Sequence, residues 1–584
     1  MKSFYLLFIA FCFLAFPSVT LSQDNDFSPT LQQKIVNRIG VDKSDLKKYK
    51  KVFKLLSEKK VTEADEIIEK ISNHLLMGHI LAIKYLNTAH KSTVDELNNW
   101  LQHYSDHYEA PRITKLLERK TAEPNTFVQQ DDTWLINNTK ISHKYLERLS
   151  NQDKTYLVKK AKEFRSDLRR GKTLPARLIL ENKRFKQLAP KTYLDQLGAS
   201  LALKYLLDNN DSLALEWGKI ASKRHNSGMA TWVAGLAAWR LKQYKTAASY
   251  FARLGSSQNS DVWLVAAGAF WAARAYEKIG NTLKAQEMLK LSAKHKYTFY
   301  GILSAYQLGL KLDFSFEQNN YVSDFSAPRY IDDLLNSENF KRVILLIELK
   351  QPQLAIKEIY HSYNDFSTQQ KEAIILMAHN KGLHSVVIGL SRMDDWDDLA
   401  IRYEKELYPL PQWANKNDWQ VEKPLVLALI RQESAFRDDA KSHSGALGLM
   451  QLMPATATYI SGDKTLKRNR DKLYNPKYNM ELGQKYVTYL LTKPFIEGNL
   501  FFMLTAYNAG PGNLAKWLKS ARYQDDPLLF IEVIPSAETR IYIERVMANY
   551  WIYNLRLKKR NTTLEQVGAN QWPVLEQYRQ ILFD

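Results

Sequence analysis

The chain has 584 residues, 45% hydrophobic and 25% charged, a globular composition too long for one core, so two or more domains are expected. Its formal net charge of +20 calls for an acidic partner, whether nucleic acid, membrane surface or anionic wall polymer. Cys12 is the only cysteine, which excludes an internal disulfide and leaves the domains to be held by packing.

The N-terminal run MKSFYLLFIAFCFLAFPSVTLSQDND has the pattern of a secretory signal: Lys2, an apolar stretch from Phe4 to Phe16, then VTLS before a polar start. Residues 1–22 are read as this signal, with cleavage near Ser22, and the stretch is too short to span a membrane. Phe11 before Cys12 fits a lipid-anchoring signal poorly, so a soluble product outside the cytoplasmic membrane is expected. No later apolar run reaches the ~18 residues that a membrane span needs.

From about Leu31 to Ala400 the sequence is a succession of short helical patterns. The stretches GLAAWRLKQYKTAASYFARLG (235–255) and GAFWAARAYEKIGNTLKAQEMLKL (268–291) align at an offset of 37, pairing Ala238 with Ala275, Ala248 with Ala285 and Phe251 with Met288. That spacing implies TPR-like helical hairpins stacked into an α-superhelix. Its Tyr and Trp residues are either core or a wall suited to a long polymer, and core is the prior for any single one. The helical period lapses over GLKLDFSFEQNNYVSDFSAP (309–328), resumes at Ile331, and is punctuated again by Pro409 and Pro411 in ELYPLPQW. A separate helical domain is expected from there to Asp584.

In that last domain Val421 to Phe436 reads as a mostly buried helix with Glu433 on its final turn. The negative end of the helix dipole and partial burial both raise a carboxyl pKa, as a general acid requires, although a surface glutamate would show the same residues. Two-carboxylate glycosidases need a partner roughly 5 to 9 Å away. Asp438 is nearest in sequence, but on a continued helix it would point about 140° from Glu433, so it belongs to the following turn and no second acid is evident.

SGALGLMQLMP (444–454) supplies glycines that let backbone approach a ligand, and Gln451, which offers an amide donor and acceptor; a tight turn packed by methionines is the bland alternative. Its proline opens the helix PATATYI. LTAYNAGPG (504–512) ends a buried helix with Tyr507 and Asn508, Gly510 and Gly512 reading as C-terminal punctuation. A Tyr507 hydroxyl meets either the acid, a sugar or simply the core. IPSAETRIYIERV (534–546) sets Glu538 at a helix start, where the dipole alone suffices to explain it. KTLKRNRDK (464–472) reads as an exposed basic loop.

RQESAF, GALGLMQLMP, AYNAGPG and IPSAETRIY, in that order, resemble the motifs of the soluble lytic transglycosylases of Gram-negative bacteria, a family of lysozyme-like murein-cleaving enzymes. The resemblance implies an all-α chain: a ring-forming α-superhelix over 23–328, a helical linker domain over 329–412 completing the ring, and a lysozyme-like transglycosylase domain over 413–584. It implies that Glu433 is the single catalytic acid, that Gln451, Met453 and Tyr507 line the sugar sites or orient the acid, that Glu538 flanks the pocket and that Ser442 contacts sugar or peptide. Ser434 and Asn508 are further candidates beside these.

The implied reaction is non-hydrolytic cleavage between N-acetylmuramic acid and N-acetylglucosamine, leaving 1,6-anhydromuramic ends, with the substrate's N-acetyl group standing in for the second carboxylate. The implied setting is a monomer in the periplasm acting on peptidoglycan glycan strands, with other periplasmic cell-wall enzymes as partners. The His residues of the catalytic region form no ligand cluster and no dinucleotide or phosphate-loop glycine motif occurs, so neither metal nor cofactor is expected. Nucleic-acid binding is not expected either, given secretion. A lysozyme-type hydrolase using the same Glu433, and a periplasmic scaffold with an inactive last domain, remain the alternatives.

Overall fold

The computed structural model describes residues 29–121, 141–224, 227–316, 330–391, 393, 403–411, 413, 419–576 and 578. The expected signal segment, most of the second half of the 309–328 interruption, and much of the stretch on either side of Pro411 lie outside these residues. The described residues are helical, with no strand among them. Outside the helices, isolated bridges join Lys441 to Leu447, Leu447 to Leu452, and Asn499 to Val574. By its internal contacts the chain divides into two compact units, Met1–Ala122 with Asn319–Arg402, and Glu123–Gln318 with Tyr403–Asp584.

In the first unit, helices Lys43–Ser57, Val61–Ile68, Met77–Tyr85, Val94–His103 and Ala110–Thr121 come from one end of the chain. Helices Glu338–Glu348, Pro352–Ser362, Thr368–Asn380 and His384–Leu390, within the stretch expected to be a linker, come from the middle. Local chemistry sets each start: Thr93 and Glu96 form a reciprocal capping box, and Ser367 with Gln370 forms another. Asp45 is spent on tertiary structure, accepting from the backbone N–H of Asn73 at 2.7 Å and of Ser72 at 3.1 Å. Lys357 pairs with Glu109 at 2.8 Å and Arg342 with Asp106 at 3.7 Å, so charge joins the two segments as well as apolar packing.

The second unit begins as the expected solenoid. Helices Lys191–Leu207, Asp211–Ala221, Gly228–Arg240, Tyr244–Gly255, Val262–Lys278, Thr282–Ala293 and Phe299–Gln307 each pack on the next. The residues aligned at the 37-residue offset fall at equivalent places: Ala238, Ala248, Ala275 and Ala285 are all buried. Small residues are required because the backbones approach closely; a Cβ on Gly255 would stand 2.7 Å from the Cα of Ala269. Trp239 and Trp271 meet edge to face at 5.1 Å, and both are core.

The C-terminal helices of this unit assemble around Ala537–Arg556, which packs on Lys423–Glu433 and on Leu500–Ala509. Val546 through Tyr553 are all buried along it. The solenoid is fastened to this assembly by Arg274, which stacks over Trp271 at 4.5 Å and pairs with Asp526 at 2.8 Å, and by Phe299 stacked on Trp551 at 5.0 Å. Gly510 leaves its helix at φ +87 as expected, whereas Gly512 lies inside the next helix, Pro511–Ser520, because Pro511 restarts the helix at once.

Candidate active site

Helix Lys423–Glu433 is apolar from Pro424 to Ile430, all buried, and delivers Glu433 as its last residue. The sequence pattern runs the helix to Phe436, but the chain turns away at once: Ala435 and Phe436 both have positive φ, 50° and 65°. Two consecutive non-glycine residues in this region are strained, and such strain is characteristic of functional sites. Asp438 lies in the following turn, away from any continued helix.

The Glu433 carboxylate accepts a hydrogen bond from the Tyr542 hydroxyl at 2.6 Å. Burial pushes its pKa up to about 7; the Tyr542 hydrogen bond opposes the rise, and the charge of Glu538 adds to it. Glu433 is therefore half protonated near neutrality, as a group that must give up and then recover a proton requires. Glu538 stands exposed in the first turn of helix Ala537–Arg556, and Tyr542 follows it one turn later on the same face.

Tyr507 takes a different partner, donating to the carbonyl of Met450 at 2.8 Å. The negative charge of Glu433 is close enough to help hold Tyr507 protonated, after burial as the larger cause. Asn508, one residue on, accepts from the Thr539 hydroxyl at 2.7 Å and so ties its helix to Ala537–Arg556.

The loop before Pro454 is held from inside. Buried Asn479 accepts from the Met450 N–H at 2.8 Å and donates to the carbonyls of Leu447 at 2.9 Å and Leu473 at 2.8 Å. Gly448, at φ +76, is the close approach: a Cβ there would lie 2.2 Å from the Leu473 carbonyl oxygen. Gln451, itself at φ 46°, donates its amide N–H groups to the carbonyls of Gly448 at 2.9 Å and Ala440 at 3.1 Å, which turns its carbonyl oxygen into the group left for a ligand. Met453 caps helix Pro454–Ser461 and is 42% exposed, an unusual position for an apolar side chain.

The remaining candidates are local. Ser442 accepts from the N–H of Ala446 at 2.9 Å within its own turn. Ser434 is buried, its hydroxyl donating back to Ile430 at 3.2 Å at the helix end. Thus Glu433, Tyr507, Gln451 and Glu538 are linked through hydrogen bonds, shared loops or charge, while Ser434 and Ser442 serve the turns that carry them. The motifs read from the sequence name neither Tyr542 nor Asn479 as a site residue. The signal for Tyr542 was its place one turn after Glu538; Asn479 has none.

Residues 412–530, which include Glu433, the Met450 loop and Tyr507, match the family described as Transglycosylase SLT domain. That segment of the chain is similar to an SLT domain. Over 323 residues the chain is 26% identical to the soluble lytic murein transglycosylase of Salmonella typhimurium, covering 51% of this chain and 45% of that protein. The chain spans about half the length of the curated relatives it matches. In fold it is similar to the 70 kDa soluble lytic transglycosylase of Escherichia coli, with TM-score 0.56, 18% identity, and coverage of 88% of this chain and 97% of that one. It is likewise similar to an inactive mutant of lytic transglycosylase Slt from Pseudomonas aeruginosa, with TM-score 0.58, 18% identity, and coverage of 91% and 98%. These neighbours bear out an all-α, superhelical fold.

Proposed function

We propose that this protein is a lytic transglycosylase that cuts peptidoglycan between N-acetylmuramic acid and N-acetylglucosamine without water, leaving 1,6-anhydromuramic ends. The observation that carries this reading is Glu433, placed at a helix end with its pKa raised to about 7 inside an SLT domain. Protonated Glu433 donates to the glycosidic oxygen. The resulting carboxylate takes the proton of the muramic O6 hydroxyl as that oxygen closes on C1. The substrate's own N-acetyl oxygen assists at C1, so one carboxyl suffices. Ring closure has the advantage of an intramolecular nucleophile once the sugar is held.

In this reading Tyr542 positions the Glu433 carboxyl, Tyr507 and Asn479 hold the Met450 loop, and Gln451 and Met453 face the sugars. Ser442, Ser434 and Asn508 shape the loops around them. The chain acts in the periplasm, led there by residues 1–22, and works as a monomer. No described helix is long and apolar enough to cross a membrane, and the positive net charge suits a polymer bearing peptide carboxylates.

Mass spectrometry of products from purified murein, with wild type and Glu433→Gln, tests the proposal. Fragments lighter by one water than hydrolytic products, absent with the variant, are expected. Reducing ends would make the enzyme a hydrolase, and activity surviving in Glu433→Gln would place the acid elsewhere.

A further inference from the structure

A second cluster of titratable side chains lies in the first unit, on neither SLT motif nor solenoid repeat. His79 on helix Met77–Tyr85, His107 in the turn before helix Ala110–Thr121, and Glu358 on helix Pro352–Ser362 are all buried, at 1%, 4% and 0% exposure. Their potential ligand atoms lie within 4.8 Å of one another. Interiors rarely leave polar atoms unpaired, yet here both ring nitrogens of His79, Nε2 of His107 and Oε2 of Glu358 are buried without a hydrogen-bond partner. His79 Nε2 stands 3.2 Å from Glu358 Oε2, within ion-pair distance.

We infer that His79, His107 and Glu358 form a binding site for one divalent transition metal, zinc in the first instance, which joins the two separate chain segments of the first unit. Two imidazoles and one carboxylate are a recurrent zinc donor set, with bonds of about 2.0–2.2 Å and a fourth position left to water. The gap between the donors is about what a small contraction onto zinc would close.

The surroundings fit an outer shell. Arg342 Nε donates to Glu358 Oε1 at 2.6 Å, while Oε2 is turned to the imidazole of His79. Tyr108 lies on His107 at 4.2 Å between ring centres, and Trp100 meets the same ring at 5.4 Å. Trp100 in turn donates to the carbonyl of Gly78 at 3.0 Å, fixing the helix that carries His79. Such supports orient ligands.

Two features weaken the affinity and set what is measured. The Arg342 charge opposes a dication, so micromolar rather than nanomolar binding is expected. His107 Nδ1 accepts from the N–H of Glu109 at 3.1 Å; ligation through Nε2 moves the ring proton to Nδ1, where it faces that N–H, so the turn must shift to separate two donors, a cost smaller than the gain of a nitrogen–zinc bond.

The test uses the full chain without a histidine tag, stripped with chelator, desalted and titrated with zinc chloride, followed by bound metal per chain and thermal unfolding. One zinc per chain and a rise in melting temperature are expected in wild type, with both reduced at least tenfold in apparent affinity in His107→Gln and in Glu358→Gln. Absence of stoichiometric zinc in wild type overturns the inference, as does zinc retained undiminished by both variants, which would put it on surface histidines. Should the variants fail to fold, anomalous diffraction at the zinc edge from wild-type crystals decides. A peak between the three side chains supports the site, and a peak elsewhere, or a water without anomalous signal, refutes it.

Discussion

Glu433 is balanced between influences of opposite sign, and each can be removed separately. Burial raises its pKa first, the Tyr542 hydroxyl lowers it, and Glu538 raises it again. In the proposed mechanism Glu433 must be protonated to act, so the alkaline limb of the activity profile follows this pKa. Tyr542→Phe removes a lowering influence, so the limb moves to higher pH, while lost positioning reduces kcat by about tenfold. Glu538→Gln removes a raising influence, so the limb moves to lower pH. Profiles of kcat/KM against pH for both variants check the signs; a shift in the same direction for both would show that neither group acts through Glu433. The same burial makes the ionised form costly. A raised pKa means stability that is full below about pH 4.5 and declines as pH rises through about 7, so Glu433→Gln should unfold at a higher temperature than wild type at pH 8, by about 1–2 kcal/mol.

Among the elements, the loop from Ser444 to Met453 shows how a site is supported by residues that never touch substrate. Its shape rests on three hydrogen bonds to Asn479 and on the absence of a side chain at Gly448. Asn479→Ala removes the side-chain partner of the Met450 N–H and of the Leu473 carbonyl, and leaves the Leu447 carbonyl only the Leu452 N–H. A loss of about 2–4 kcal/mol in stability is expected, with a kcat deficit persisting at temperatures where the variant is folded. Unfolding melts beside murein assays separate the two. What could be read from sequence follows from this contrast. The place of Glu433 was legible because an apolar helix ending in a lone carboxylate is a local pattern, and the solenoid because its small residues repeat. Asn479 was not, since one buried amide has no period and its partners lie 29 and 32 residues away. The assembly of 29–121 with 330–391 was equally hidden, because periodicity reports faces of helices and not which distant helix covers them.

At the scale of the second unit as a whole, the solenoid and the C-terminal helices share buried ionisable groups. Tyr300, on the last solenoid helix, donates to the carboxylate of Glu532 in helix Pro527–Val533, and Arg540 lies near enough to influence its charge. Burial raises Glu532 to about 7, with Tyr300 and Arg540 opposing and Asp526 assisting the rise. Glu544 is also pushed up, first by burial and then by Glu532. The sign is that of a raised carboxyl: the folded state binds more protons than the unfolded chain between about pH 4.5 and 7, so the junction is firmest in mild acid and loses stability as pH rises through neutrality. Glu532→Gln keeps the shape and stays neutral throughout. Wild type and variant should therefore melt at similar temperatures at pH 5, and the variant should gain about 1–3 kcal/mol relative to wild type by pH 8.5. A difference that does not change with pH would mean that Arg540 already holds Glu532 ionised, and that the junction between solenoid and C-terminal helices is an ion pair rather than a neutral hydrogen-bonded contact.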